Sequence, residues 1–200
     1  MENKLGDLIS HRIQRQGWAA FSCYDFTDLA SYKAVSKCLE RMEDSHLLQR
    51  ILPGIYARVE GKEAFGLSML PPIETIAEAI ARKHKWSICP SGNTALNTLG
   101  LSEQVPSVYV FQSNGPYRTY RIGEIEIRFK HTMNRELQDC SPKTLLLIQG
   151  IKVLGQQRID DQVIATLASR LNEREKKGAI AETDFIPTWI RQTLLKTCKE

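Results

Sequence analysis

Cationic and hydroxyl side chains recur at helical spacing along residues 31–42. Ser31 is typical of a helix N-cap, and apolar residues then repeat every three or four positions, which leaves a polar face. The side chains predicted for this face are Tyr32, Lys33, Ser36, Lys37, Glu40 and Arg41, with Ala34, Val35, Cys38, Leu39 and Met42 facing inward. Ammonium and guanidinium groups bind phosphates, and hydroxyl groups bond to phosphates and base edges. The pattern therefore predicts a helix whose first turns enter the major groove of double-stranded DNA.

A polar helix face also occurs in small bundles that bind no DNA, so the neighbouring elements decide the interpretation. The predicted elements are, in order, a helix (5–16), a short strand or extended link (18–23), a short helix (25–29), the 31–42 helix and two strands (46–52 and 55–59). Pro53-Gly54 between the strands suits a type II turn, because glycine adopts positive φ there. This order predicts a winged helix-turn-helix domain over residues 1–62, with Arg50 and Arg58 on the wing contacting DNA.

The remaining residues, 63–200, are predicted to form a mixed α/β domain, so that the whole chain is α+β. The predicted elements are a connector (61–70), a helix from Ile73, a short helix after residues 91–94, strands at 107–111, 117–121 and 124–130, and helices after Pro142, Ile159 and Pro187. Short turns separate the three strands, which favours a small antiparallel meander. The charged run 172–177 is interpreted as a solvated loop or a helix end.

Two groups of cations in this second part each allow two interpretations. Residues 82–85, Arg-Lys-His-Lys, end a helix, where cations complement the helix dipole or form a phosphate-binding patch. The exposed face of the meander would carry Arg118, Arg121, Arg128 and Lys130 if the strand register brings them together. They could pair across strands with Glu124 and Glu126, or form a basic surface for nucleic acid or a protein partner.

Residue types that support catalysis do not converge on a site. Five cysteines and four histidines are scattered without a C-x-x-C pair. The segment Ser91-Gly92-Asn93-Thr94 could hold an anion at a helix start, or Ser91 could simply cap the helix, but the lysine of a phosphate-binding loop is absent. Glu124 and Glu126 lack the surrounding residues of a metal-dependent nuclease. We expect no enzyme activity, no metal and no cofactor.

The composition is that of an ordinary globular protein. The 200 residues are 42% hydrophobic and 25% charged, and their net charge of +4 is too small to identify a nucleic-acid binder by itself. The N-terminus lacks the apolar segment of a signal peptide, and no apolar run is long enough to span a bilayer. We therefore expect a cytoplasmic protein without a membrane partner.

Several segments resemble a known family when they are taken together in order and spacing. Residues 39–42, 47–51 and 53–56 are similar to the helix, loop and wing of AbiEi-type antitoxins from type IV toxin–antitoxin systems. Residues 91–101, 105–106, 113–116 and 121–123 resemble the DUF6088 relatives of those antitoxins. One departure is that Pro53 stands where the family's wing often has arginine before the glycine, whereas Arg50 lies earlier.

The resemblance implies an antitoxin that also represses its own operon by binding inverted repeats in its promoter. It implies that the C-terminal domain counters a nucleotidyltransferase-like toxin, without necessarily forming a stable complex with it. The residues expected to contact DNA are Ser31, Tyr32, Lys33, Ser36, Lys37, Arg41, Arg50 and Arg58. The alternatives are a winged-helix module that binds protein and a transcriptional regulator without antitoxin activity.

Overall fold

The computed structural model describes residues 2–59, 70–133 and 139–199. Its architecture confirms the α+β class. The chain divides into two compact units, Met1–Trp86 and Ser87–Glu200. The predicted boundary between residues 62 and 63 lies outside the described residues, as does nearly all of the predicted connector. The first unit extends past that boundary, because it includes the helix that begins at Ile73.

The first unit packs helices on a small three-stranded sheet. Its elements are α1 (Glu2–Gln16), β1 (Ala20–Ser22), a 3₁₀ turn (Cys23–Phe26), α2 (Tyr32–Asp44), β2 (Leu48–Leu52), β3 (Ile55–Arg58) and α3 (Ile73–His84). The sheet is antiparallel, with β3 between β1 and β2. Gly54 has φ +77° in the turn between β2 and β3, as expected for glycine at that place.

The core of the first unit lies between α1, α2 and the sheet. The helical period of α2 brings Val35, Cys38 and Leu39 to its inner face, where all three are buried. They belong to one cluster with Ile9 of α1. Burial of each large apolar side chain stabilises the fold by about 1.5–3 kcal/mol. Ala34 was predicted for this face but is exposed, because it lies on the flank of α2.

The second unit combines a four-stranded sheet with helices. Its elements are β4 (Ile88–Ser91), α4 (Asn93–Thr98), β5 (Val108–Ser113), β6 (Arg118–Ile122), β7 (Ile125–His131), α5 (Pro142–Leu154), a 3₁₀ turn (Gln156–Arg158), α6 (Asp161–Ala168), α7 (Glu173–Ala181) and α8 (Thr188–Thr197). The strand order is β4-β5-β7-β6. Among the described residues of the whole chain, no helix is both long and apolar enough to traverse a bilayer.

The predicted antiparallel meander is wrong, because the sheet is mixed. β7 lies between β5 and β6; it pairs with β5 in parallel and with β6 in antiparallel orientation. The side chains explain this order. Ile127 and Phe129 of β7 are 0% and 1% exposed, as suits a strand that lies inside the sheet with a partner on each side. β6 carries Arg118, Thr119 and Arg121, and charged side chains suit an edge strand. The register places Arg118 opposite Phe129, so Arg118 does not share the face of Arg121, Arg128 and Lys130 that was predicted for it.

Helix ends in the second unit follow local capping signals. Ser141 caps α5 by accepting a hydrogen bond from Thr144 N at 3.4 Å. Ser91 is not a cap: it ends β4, and Gly92 precedes α4. The run interpreted as a loop or helix end is helix α7, which begins with a capping box between Asn172 and Glu175.

The close packing of α5 against α4 gives a first testable prediction. Replacing glycine by alanine inside a helix usually stabilises it by about 1 kcal/mol. At buried Gly150, however, a Cβ would overlap the Leu99 side chain. We expect Gly150→Ala to destabilise the protein by about 1–2 kcal/mol in urea unfolding. Gly178→Ala in α7 is the control, because its Cβ would meet only Glu182 Oε1 at 3.6 Å. Equal stabilisation by both substitutions would contradict this packing.

Candidate nucleic-acid interface

Two lysines form the centre of the outer face of α2. Lys33 and Lys37 are separated by one helical turn, and both are exposed on the side opposite to the buried residues. Glu40 lies on the same face, where its Oε1 accepts a hydrogen bond from Ser36 Oγ at 3.1 Å. The face therefore presents two ammonium groups to solvent near the N-terminal half of the helix.

The hydroxyl groups predicted for the interface are partly used inside the fold. Ser31 Oγ accepts a hydrogen bond from Ala34 N at 3.4 Å and caps α2. Burial raises the pKa of the Cys23 thiol, and hydrogen bonds from Ser36 and Tyr32 oppose that rise. α2 packs against the 3₁₀ turn that contains Cys23. Tyr32 remains 48% exposed, so its ring is available for an external contact.

Arg50 lies beside this end of α2. Its guanidinium is 5.8 Å from the centroid of the Tyr56 ring, within the range of a cation–π interaction. Burial raises the pKa of the Tyr32 hydroxyl, and the positive charge of Arg50 opposes the rise. Arg50 is exposed on β2, close to the β2–β3 turn, and we group it with Tyr32 in the candidate interface.

The other two predicted arginines lie elsewhere on the unit. Arg41 is exposed on the flank of α2, where its Nε donates to Lys37 O at 3.2 Å. It lines a groove with Asp7 of α1. Arg58 ends β3, opposite Leu48, at the end of the hairpin that is remote from the turn. The structure therefore does not place Arg41 and Arg58 beside Arg50.

One lysine that was not among the predicted DNA contacts lies beside the β2–β3 turn. Lys83, in the last turn of α3, donates from Nζ to Pro53 O at 3.0 Å. Lys83 belongs to the cations at residues 82–85, for which the sequence allowed two roles: complementing the helix dipole or binding phosphate. Its proximity to the turn could not be predicted, because no local pattern relates α3 to the hairpin.

The candidate interface is thus defined by Lys33, Lys37, Tyr32, Arg50 and Lys83, and we refer to this set as the basic face. β2 packs alongside α2, and the positive charge of Arg50 on β2 lowers the pKa of the Tyr32 hydroxyl at the first turn of the helix. The arrangement offers cations and an aromatic ring, which can bind phosphates and contact bases. Within the described ranges, no cluster of three or more His, Cys, Asp or Glu side chains could hold a metal ion.

Comparison with known proteins identifies the family. No curated protein matches the chain. Residues 9–180 match the model of a family of unknown function, DUF6088. This match includes α2, the hairpin and most of the second unit. The chain therefore belongs to the DUF6088 family.

Proposed function

We propose that this protein is a DNA-binding transcriptional repressor whose first unit reads duplex DNA. The observation that carries the proposal is the pair of exposed lysines on α2, with Arg50 and Lys83 at the adjacent turn. A helix inserted in the major groove places such side chains against phosphates on either side, while a hairpin contacts the neighbouring backbone.

The order of elements supports a winged helix for this unit. A helix, a strand, a 3₁₀ turn, a second helix and a hairpin follow one another, and β1 pairs with the last strand of the hairpin. In this arrangement α2 is the recognition helix and the β2–β3 turn is the tip of the wing. Arg41 and Arg58 lie away from that tip, so we assign them no more than a contact at the edge of a DNA site.

The antitoxin part of the proposal rests on the resemblance to AbiEi-type antitoxins. In this view the chain represses its own promoter at inverted repeats, and the second unit counters a nucleotidyltransferase-like toxin encoded beside it. Co-expression of the chain with the product of the adjacent gene tests this part separately. Restored growth supports the antitoxin role, and growth arrest in spite of full expression contradicts it.

The DNA-binding proposal is tested by fluorescence anisotropy with a labelled duplex from upstream of the gene. We expect that duplex to bind at least a thousandfold more tightly than a scrambled duplex at physiological salt. The logarithm of affinity should fall linearly with the logarithm of salt concentration, by about 0.9 for each phosphate contacted. Equal affinity for the two duplexes, or no binding at low salt, would contradict the proposal and favour a protein-binding module instead.

Lys83 provides a narrower prediction for the wing tip. Lys83→Gln should weaken operator binding by about threefold to tenfold and reduce the salt slope by about 0.9, because one phosphate contact is lost. Lys83→Arg should retain binding. Lys85→Gln is the matched control, since Lys85 is exposed just after the same helix. The contact is excluded if Lys83→Gln and Lys85→Gln have the same affinity and salt slope.

A further inference from the structure

A cleft in the first unit lies between the C-terminal end of α1, β1 and one face of α3. Its volume is about 240 Å³. A cavity of about 150 Å³ is already large enough to bind benzene, so this cleft has room for a small organic ligand. The lining includes Gln16, Trp18, Ala20, Thr75, Glu78 and Arg82. None of these residues belongs to the basic face, so what binds in the cleft is independent of the proposed DNA-binding function.

Glu78 supplies a carboxylate to this cleft. Its side chain is exposed to solvent, yet burial by neighbouring protein atoms raises the pKa of the carboxyl group. The positive charge of Arg82 opposes the rise, and the negative charge of Glu74 adds to it. Exposure together with a raised pKa is typical of a concave site, where water reaches the carboxylate but protein atoms displace part of its hydration shell.

Arg82 on the same wall does not neutralise Glu78. Its Nε donates to Asp25 Oδ1 at 2.9 Å and its Nη2 donates to Ala20 O at 2.8 Å, so the guanidinium is bound to groups outside the cleft. Among the described residues, Glu78 has no hydrogen-bonded or ion-paired partner. The cleft therefore contains a carboxylate that is partly desolvated and still able to bind a cation.

Two other features of the cleft also favour a cation. α1 ends at Gln16, and the free carbonyl groups at the C-terminal end of a helix carry partial negative charge. Thr75 Oγ1 donates its proton to Pro72 O at 2.7 Å, so its lone pairs remain as acceptors. An ammonium group has three donors and no acceptor, and it matches a carboxylate beside neutral oxygen atoms.

We propose that this cleft binds a small organic ammonium ion, with Glu78 as its counter-ion and the alkyl part of the ligand against Trp18. A bare metal ion fits less well, because hard divalent cations take six or more oxygen ligands and Glu78 offers one carboxylate. An anion is disfavoured because it would lie against the ionised Glu78. A short primary alkylammonium satisfies both the charge and the volume of the cleft.

The test follows the indole N–H resonances of the ¹⁵N-labelled 200-residue protein by NMR. Trp18 lines the cleft, and Trp189 in the second unit is the internal reference. Butylammonium chloride should shift the Trp18 resonance saturably and leave Trp189 unchanged. Butan-1-ol and butanoate keep the alkyl chain but carry no charge or the opposite charge. We expect both to bind at least tenfold more weakly, because neither forms the charged hydrogen bond to Glu78.

Substitutions of Glu78 separate the site from general charge effects. Glu78→Gln should weaken butylammonium binding at least tenfold, and Glu78→Asp should retain part of the affinity because it keeps the charge. Glu103→Gln is the charge-matched control, since Glu103 is exposed and does not line the cleft. Burial disfavours the ionised form of Glu78 in the folded protein, so Glu78→Gln should unfold at the same urea concentration as wild type or a higher one. Its loss of binding would then not be a folding defect.

Three results would overturn the proposed site. The first is the lack of a saturable Trp18 shift with butylammonium. The second is equal affinity of wild type and Glu78→Gln for butylammonium, or equal affinity of wild type for butylammonium and butan-1-ol. The third is tighter binding of the capped lysine Nα-acetyl-lysine N-methylamide, which would assign the cleft to a lysine side chain of a partner protein. Failure of the upstream duplex to bind would leave these measurements unchanged, so the two proposals fail separately.

Discussion

Replacing Lys33 and Lys37 together by alanine is expected to lower affinity for the upstream duplex by about two orders of magnitude at low salt. Both ammonium groups are exposed on the outer face of α2, which in our proposal faces the DNA. Loss of two phosphate contacts should reduce the slope of log affinity against log salt by about 1.8. Anisotropy titrations at several salt concentrations measure both quantities. The difference between wild type and variant should therefore shrink as salt increases.

The matched control for this experiment is Lys4→Ala/Arg15→Ala, which removes two exposed cations from α1. It lowers the net charge equally but leaves the face of α2 intact. We expect the control to bind within about twofold of wild type, because exposed charges beyond a Debye length of about 8 Å are largely screened at physiological salt. Equal losses in the two variants would mean that binding depends on total charge, and α2 would not be the recognition helix.

Arg82→Ala is expected to produce the largest loss of stability, about 3 kcal/mol in the free energy of unfolding. Arg82 Nε donates to Asp25 Oδ1 at 2.9 Å, and Nη2 donates to Ala20 O at 2.8 Å. The guanidinium also lies 4.8 Å from the centroid of the Trp18 ring. The Asp25 side chain is only 6% exposed, so removal of Arg82 leaves a buried carboxylate without its cation. Urea unfolding followed by tryptophan fluorescence measures the loss.

The neighbouring residue supplies the control for Arg82. Lys83→Ala removes a cation from the same helical turn, but its hydrogen bond to Pro53 O is solvent-exposed, and we expect a loss below about 1 kcal/mol. In a double-mutant cycle, Asp25→Asn and Arg82→Ala should be strongly non-additive, since each removes the same interaction. Additive effects, or equal losses for Arg82→Ala and Lys83→Ala, would contradict the role of this pair in holding α3 to the 3₁₀ turn.

Local chemistry in the sequence was sufficient to predict several elements. Ser31 and Ser141 mark helix starts, because a hydroxyl N-cap satisfies a free backbone N–H, and both act as predicted. Gly54 marks the hairpin turn through its positive φ. The order of the second sheet could not be predicted in the same way. Alternation along 125–131 shows that one face of β7 is buried, but it does not specify which strands pair with it.

The candidate interface was predictable only as far as helical periodicity extends. The exposure of Lys33 and Lys37 follows from their spacing relative to Val35 and Leu39. Ser36 is half-buried because α2 packs against the 3₁₀ turn, and no local pattern in the sequence predicts that packing. Non-local packing likewise separates Arg41 and Arg58 from Arg50, and brings Lys83 to Pro53. Local signals thus identify which side chains face outward, and tertiary packing decides which of them act together.

The most direct test of the central claim is lysine footprinting of the wild-type protein with its upstream duplex. The protein is acetylated with and without saturating duplex, and the modification of each lysine is quantified by mass spectrometry. The account predicts strong protection of Lys33 and Lys37, weaker protection of Lys83, and unchanged modification of Lys4 and Lys196. Equal modification of Lys33 and Lys37 in the free and DNA-saturated protein would contradict it, because a recognition helix cannot leave its central lysines accessible in the complex.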